Sequence, residues 1–422
     1  MIQLSPRGAA VYRLLTMSVG LVAVYGLGVL LGASFALPGN PLAELIAEPT
    51  RIQALTQRAF DLALLAGLVA AGMLMAGGAL SSRRATWLLR GWIALALGGL
   101  FAAPFASELT VSTALAIAAL LPALLPKSTD PALRGIQRLW RLSLLLVALG
   151  LLLPHGNESL PAAALRSFQL QVAYALAMLS VVYWLFAGFS RVEPGWARDS
   201  RRVCSALLLL GGGFIAAGRL GLSAPIALAA GALVIGCFII IATHWVRAIS
   251  RRAHNATLSP HWLSLATLLW LVNGLLGALS MQPSLQSAMR GTELLTAQDW
   301  LAGCGLLCVL LALVNQAASD LRGDNRRVTG YMPFWLCGFG AALAAIFQAG
   351  IGLLQHYLRA EATADLLLPM SALWLGCLLA FAAGLIMYAL GYLARLPRIH
   401  ILADYSSPAE PSGKKAASKT QA

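Results

Sequence analysis

The chain has 422 residues, 59% of them hydrophobic and 11% charged, with 30 Lys+Arg against 16 Asp+Glu for a net charge of +14 and a mean hydropathy of +0.77. A soluble domain carries roughly 25% charged residues, so this composition excludes a soluble fold and points to an all-α, polytopic membrane protein whose first partner is the lipid bilayer. The cations stand in short runs between apolar stretches and not on one exposed face, which excludes nucleic acid as a partner.

A helix needs about 20 apolar residues to cross the hydrocarbon core. By that measure the chain predicts about twelve transmembrane helices, at 11–37, 59–80, 86–107, 109–126, 136–155, 164–188, 203–222, 224–248, 261–282, 298–318, 332–358 and 367–394. The first follows Arg7 and Arg13 like a signal peptide. Its apolar core outruns the roughly 7–15 residues of a signal h-region, so it is read as a retained helix. The third and fourth, short and parted by Ser107-Glu108, form a tight hairpin or one re-entrant unit. Residues 1–398 make one helical membrane domain, and 399–422 (with SSPAEPSGKKAASKTQA) make a disordered basic tail.

Lys and Arg accumulate in cytoplasmic loops. With the amino terminus inside, the even-numbered gaps should be basic. They hold Arg83-Arg84, then Lys127, Arg134 and Arg138, then Arg191, Arg198, Arg201 and Arg202, then Arg247, Arg251 and Arg252, then Arg322, Arg326 and Arg327. The opposite gaps hold only Arg51, Arg58, Arg166, Arg219, Arg290 and Arg359, 6 of the 30. A missed helix would invert every later loop, so the alternation supports twelve helices, both termini cytoplasmic, in a bacterial inner membrane.

Ionisable side chains inside a membrane are costly and are functional hypotheses. Asp61 and Asp299 open predicted helices two and ten near the outer surface. They form either a shared polar site or interfacial residues solvated by headgroups, and the second is favoured because charges at helix ends are cheap. His155 and His356 end helices five and eleven on the outer side. They are interfacial anchors, or else a pair able to bind haem or a metal. His244 sits at the inner end of helix eight, and Arg90 snorkels inward from helix three. Gln169, Gln171 and Asn273 are expected to hydrogen-bond between helices. Cys304 and Cys308 share a helix face but lack further ligands, so packing is favoured over metal. All six cysteines lie in apolar stretches and read as buried hydrophobes. A helix broken near its middle would mark a transporter. Only Gly211-Gly212-Gly213 qualifies, since Pro225 and Pro369 fall at helix starts.

From the ninth helix onward the chain carries WLVNGLLGALSMQP (270–283), RGTELLTAQDWLAGCG (290–305), LVNQAASDLRGDNRRVTGYMPFWLCGFG (313–340) and FQAGIGLLQ (347–355). About a third of the chain in this pattern resembles the catalytic subunit of haem-copper oxidases and nitric oxide reductases, including the cbb3-type branch. The resemblance implies a twelve-helix core and haem held by His-x-His at the opening of helix ten and a His at the start of helix two. This chain has Gln298 and Trp300 at the first place and Arg58-Ala59-Phe60-Asp61 at the second, and no His-His pair for copper. A haem iron needs a strong axial donor, which neither Gln nor Trp supplies. The resemblance therefore implies a subunit without redox centres or cofactor, packed beside other subunits of a respiratory complex and not catalytic by itself. The alternatives are a small-solute or ion transporter, and a subunit that keeps haem on His155 and His356.

Overall fold

The computed structural model describes residues 2–35, 49–102, 108–152, 160–188, 194–250, 257–285, 293–323, 328–357, 364–397 and 399–401. In chain order they form β1 (Ile2–Leu4), α1 (Pro6–Phe35), α2 (Pro49–Ala76), α3 (Ser82–Ala102), α4 (Glu108–Leu120) and α5 (Pro131–Leu152). Then come α6 (Leu160–Phe168), a π-helical turn (Gln169–Tyr174) and α7 (Ala175–Ala187), which together make one long rod. After it follow α8 (Pro194–Gly218), α9 (Ala224–Ser250), α10 (Ser259–Ser280), α11 (Glu293–Arg322), α12 (Tyr331–Tyr357), α13 (Ala364–Ala394) and β2 (Ile399–Ile401). The chain is an all-α, multi-pass membrane protein, and each of the twelve expected segments is helical.

Among the described residues, ten helices are long and apolar enough to cross a membrane. The expected third and fourth are not among these ten. Helix α3 carries Arg83, Arg84 and Arg90 within 21 residues, and Arg90 is exposed. Helix α4 has 13 residues and continues as a 3-10 turn over Leu121–Leu124. The two helices pack on each other, and α4 also packs on α5.

Three rods are nearly enclosed. The apolar windows of α2 and α11 are 94% buried and that of the α6–α7 rod is 89% buried, whereas the other seven lie between 33% and 50%. An all-round apolar helix belongs in a core or in lipid, and both cases occur here. The enclosed rods are the second, sixth and tenth predicted helices. The rest form a shell whose outward Leu and Ile side chains, such as Leu149, Leu228 and Leu390, meet lipid.

Ile2–Leu4 pairs in parallel with Ile399–Ile401, and α1 packs beside α13. α1 and α13 thus lie side by side with Ile2–Leu4 and Ile399–Ile401 at one end of the bundle, so the number of crossings between these two strands is even. It also corrects the expectation of a free tail from 399, because its first three residues are held as a strand. Arg322 fastens the same end. Its Nε and Nη2 donate to the Tyr12 hydroxyl at 3.2 and 2.7 Å, and its guanidinium lies over the Tyr12 and Tyr392 rings.

Candidate functional site: a buried polar cluster

Helix α2 begins at Pro49, ten residues before the apolar run that the sequence suggested. Asp61 therefore lies twelve residues into the helix, about 18 Å along its axis, and is 3% exposed. Headgroups do not solvate it. Its Oδ1 accepts a hydrogen bond from the Tyr174 hydroxyl at 2.9 Å, and its Oδ2 accepts from Gln57 Nε2 at 3.5 Å. Gln57 Oε1 in turn accepts from Arg166 Nη2 at 2.9 Å, and Arg166 is exposed at the end of the bundle remote from the termini.

Tyr174 closes the π-helical turn. A π-turn adds one residue to a helical turn and recurs at functional sites. This one presents Gln169, Gln171 and Tyr174 to the bundle interior, all buried. Neighbouring helices are cut to fit it. A Cβ on Gly212 would stand 2.5 Å from the Gln171 carbonyl oxygen, and one on Gly150 would stand 3.0 Å from Gln169 Cγ. Gln171 and Asn273 exchange two hydrogen bonds, from Gln171 Nε2 to Asn273 Oδ1 at 3.2 Å and from Asn273 Nδ2 to Gln171 Oε1 at 2.6 Å. Interhelical amide pairs of this kind contribute about 0.6–2 kcal/mol. Asn273→Leu is expected to lower thermal stability in detergent by about that amount; an unchanged melting temperature would speak against the pairing.

The second half of the cluster is an ion pair. Arg219, in the turn after α8, sends Nη2 to Asp299 Oδ1 at 2.8 Å and to the Leu295 carbonyl at 3.1 Å, with the two side chains 7% and 16% exposed. Around the two aspartates that the sequence singled out stand three residues it had not assigned a role, Tyr174 and Gln57 on Asp61 and Arg219 on Asp299. Gln298, 2% exposed, faces Gly277 and Ile215, and neither its Nε2 nor Gln169 Nε2 has a hydrogen-bond partner.

The Gly211-Gly212-Gly213 triplet, the one place that would qualify for a transporter's broken helix, is unbroken, since α8 runs through it. The irregular turn sits instead in the sixth rod, against Gly212. Pro369 lies inside α13 as its sixth residue. His155 lies outside the described residues, as does the side chain of His356, so the proposed histidine pair is not placed. His244 packs its ring 5.8 Å from that of Trp196, far from the cluster at the terminal end. Cys304 and Cys308 are buried, and among the described residues no group of three or more His, Cys, Asp or Glu side chains is arranged to hold a metal.

The positions at which the resemblance expects haem ligands do not fit that cofactor. Gln298 and Trp300 point to different sides of α11. Trp300 Nε1 donates to the Ala341 carbonyl at 3.1 Å and its ring packs on Phe381 at 4.9 Å. Between α2 and α11 the Phe60 ring lies 3.6 Å from where a Gly303 Cβ would be and 5.3 Å from the Tyr25 ring, and Leu310 presses on Gly67. Close-packed side chains thus fill that interval. No family model matches the chain, and no curated protein matches it.

Proposed function

We propose that this chain is a non-catalytic integral subunit of a respiratory electron-transfer complex in a bacterial inner membrane, resembling the haem-copper oxidase and nitric oxide reductase catalytic subunit but without redox centres of its own. One observation carries the reading. The two places where the resemblance expects haem ligands, near Asp61 on α2 and at Gln298 and Trp300 on α11, fall on two of the three enclosed rods, and these rods touch each other. The contact between them is closed by Phe60 against Gly303 and by Leu310 against Gly67. A scaffold that places its two ligand-bearing rods together and then packs the interval with side chains supports retention of the architecture with loss of the cofactor. The charge alternation of the loops supports termini on the cytoplasmic side.

The test is one preparation with two readouts. Purified in mild detergent, the full chain is expected to give no stoichiometric Soret band and to bring down redox-active membrane subunits identified by mass spectrometry. A stoichiometric Soret band sinks the haemless reading and favours haem on His155 and His356. A chain that is always recovered alone sinks the subunit reading.

A second reading, a small-solute or ion transporter, is favoured by one feature, the buried Asp61–Tyr174 contact at a π-turn, since intramembrane carboxylates mark ion and proton routes. Solute or ion flux into proteoliposomes that is lost in Asp61→Asn would decide for it.

A further inference from the structure

Three side chains form a directed chain of hydrogen bonds from the end of the bundle remote from the termini into its interior. Arg166 donates to Gln57 Oε1 at 2.9 Å, and Gln57 Nε2 donates to Asp61 Oδ2 at 3.5 Å. Arg166 is exposed and Asp61 is 3% exposed. The chain has a polarity. A guanidinium can only donate and an ionised carboxylate can only accept, so a carboxamide between them has one satisfactory orientation, oxygen toward Arg166 and nitrogen toward Asp61. The remaining carboxylate oxygen, Oδ1, is occupied by the Tyr174 hydroxyl at 2.9 Å.

We propose that Asp61 is a proton-binding site reached from that end of the bundle, and that the Gln57 carboxamide converts its protonation into release of Arg166. A proton taken from the aqueous phase binds Oδ2 and turns the carboxylate into a carboxylic acid. The new O–H is a donor that faces the Gln57 N–H, itself a donor. The conflict is relieved when the carboxamide turns over, so that Gln57 Oε1 accepts from Asp61. Its NH₂ then faces the Arg166 guanidinium, donor against donor, and the contact at 2.9 Å is lost. Arg166 stands in α6, which runs directly into the π-turn carrying Tyr174. Loosening α6 therefore bears on Tyr174, which donates to Asp61.

Other ionisable groups face this relay and compete for the same explanation. Tyr25 of α1 interacts with Arg166 and with Cys304 of α11. Asp299 of α11 interacts with Arg166 and is bound by Arg219. Asp299 is the rival acid. The proposal assigns the response to Asp61 because the Gln57 switch contacts Asp61.

The experiment is amide hydrogen exchange of the α6 segment, followed by mass spectrometry, on the full chain in nanodiscs of phosphatidylethanolamine and phosphatidylglycerol across a range of pH. After correction for the intrinsic chemical rate, exchange in the native chain is expected to rise about tenfold as pH falls, the loss of roughly one charge-assisted hydrogen bond. Asn at position 61 presents an N–H to Gln57 as the protonated acid does, so Asp61→Asn should exchange fast at every pH with no further rise. Gln57→Leu should do the same. Asp61→Glu keeps a titrating acid and should retain the response at a shifted midpoint, which covers the case in which Asp61→Asn fails to fold. A native pH profile in Asp61→Asn overturns the proposal. So does loss of the response in Asp299→Asn alone, which would make Asp299 the proton site. A response driven by sodium at constant pH would replace the proton with a metal cation and equally overturn it.

Discussion

Gly212→Ala is expected to destabilise the protein by about 3 kcal/mol, the upper end of the range for overpacking a core, and Gly212→Leu to prevent folded protein from accumulating. The added Cβ would meet the Gln171 carbonyl oxygen at 2.5 Å and Val172 Cγ2 at 3.0 Å. A flexible side chain could swing aside, but the first of these atoms is backbone. The segment cannot retreat either, because the Gln171 side chain is fixed by both bonds to Asn273. The adjacent glycine is the control. Nothing lies within 4 Å of a Cβ on Gly213, so Gly213→Ala should stabilise by about 0.5–1 kcal/mol through the helix preference of alanine over glycine. Thermal unfolding of both variants in the same detergent separates them. Equal stability of the two would refute the fit of α8 to the π-turn.

The second large effect belongs to the ion pair. Removing one partner of a buried pair strands the other charge and costs about 3–5 kcal/mol, and Arg219 and Asp299 are only 7% and 16% exposed. Arg219→Met should therefore lose that much, while the double variant Arg219→Met/Asp299→Leu should recover most of it, since a well-packed apolar pair replaces a buried ionic one at little net loss. A double-mutant cycle on denaturation midpoints measures the coupling. If the two single losses simply add, the pair at 2.8 Å does not govern this region.

These residues also mark how far the sequence could be read. The rods were legible because hydropathy over 20 residues is a local property, and segment after segment returned as a helix over its apolar run, with starts ten residues earlier in α2 and nine in α8. What hydropathy cannot locate is a polar first turn. Pro49–Arg58 contains Thr50, Arg51, Gln53, Thr56, Gln57 and Arg58, so the apolar measure started the second helix at 59 and put Asp61 at its end. The helix extends back to Pro49, and along this extension Arg166 of α6 donates to Gln57. That extension converts a solvated acid into a buried one. The π-turn was illegible for a different reason. Gln169 and Gln171 have the same spacing in an α-helix as in a π-turn, and the choice depends on room left by Gly150 and Gly212 in other helices. A signal for the cations did exist. Arg166 and Arg219 were exceptions to the charge alternation of the loops, two of the six cations on the acidic side, and each now proves to hold a polar side chain of the cluster, Gln57 and Asp299.

The pairing of Ile2–Leu4 with Ile399–Ile401 has a consequence for biogenesis. The first of these strands precedes every described helix and its mate follows α13. Until α13 is made the flank of α1 that it covers lacks that partner, so docking of α13 and pairing of the two strands follow insertion of the rods between them.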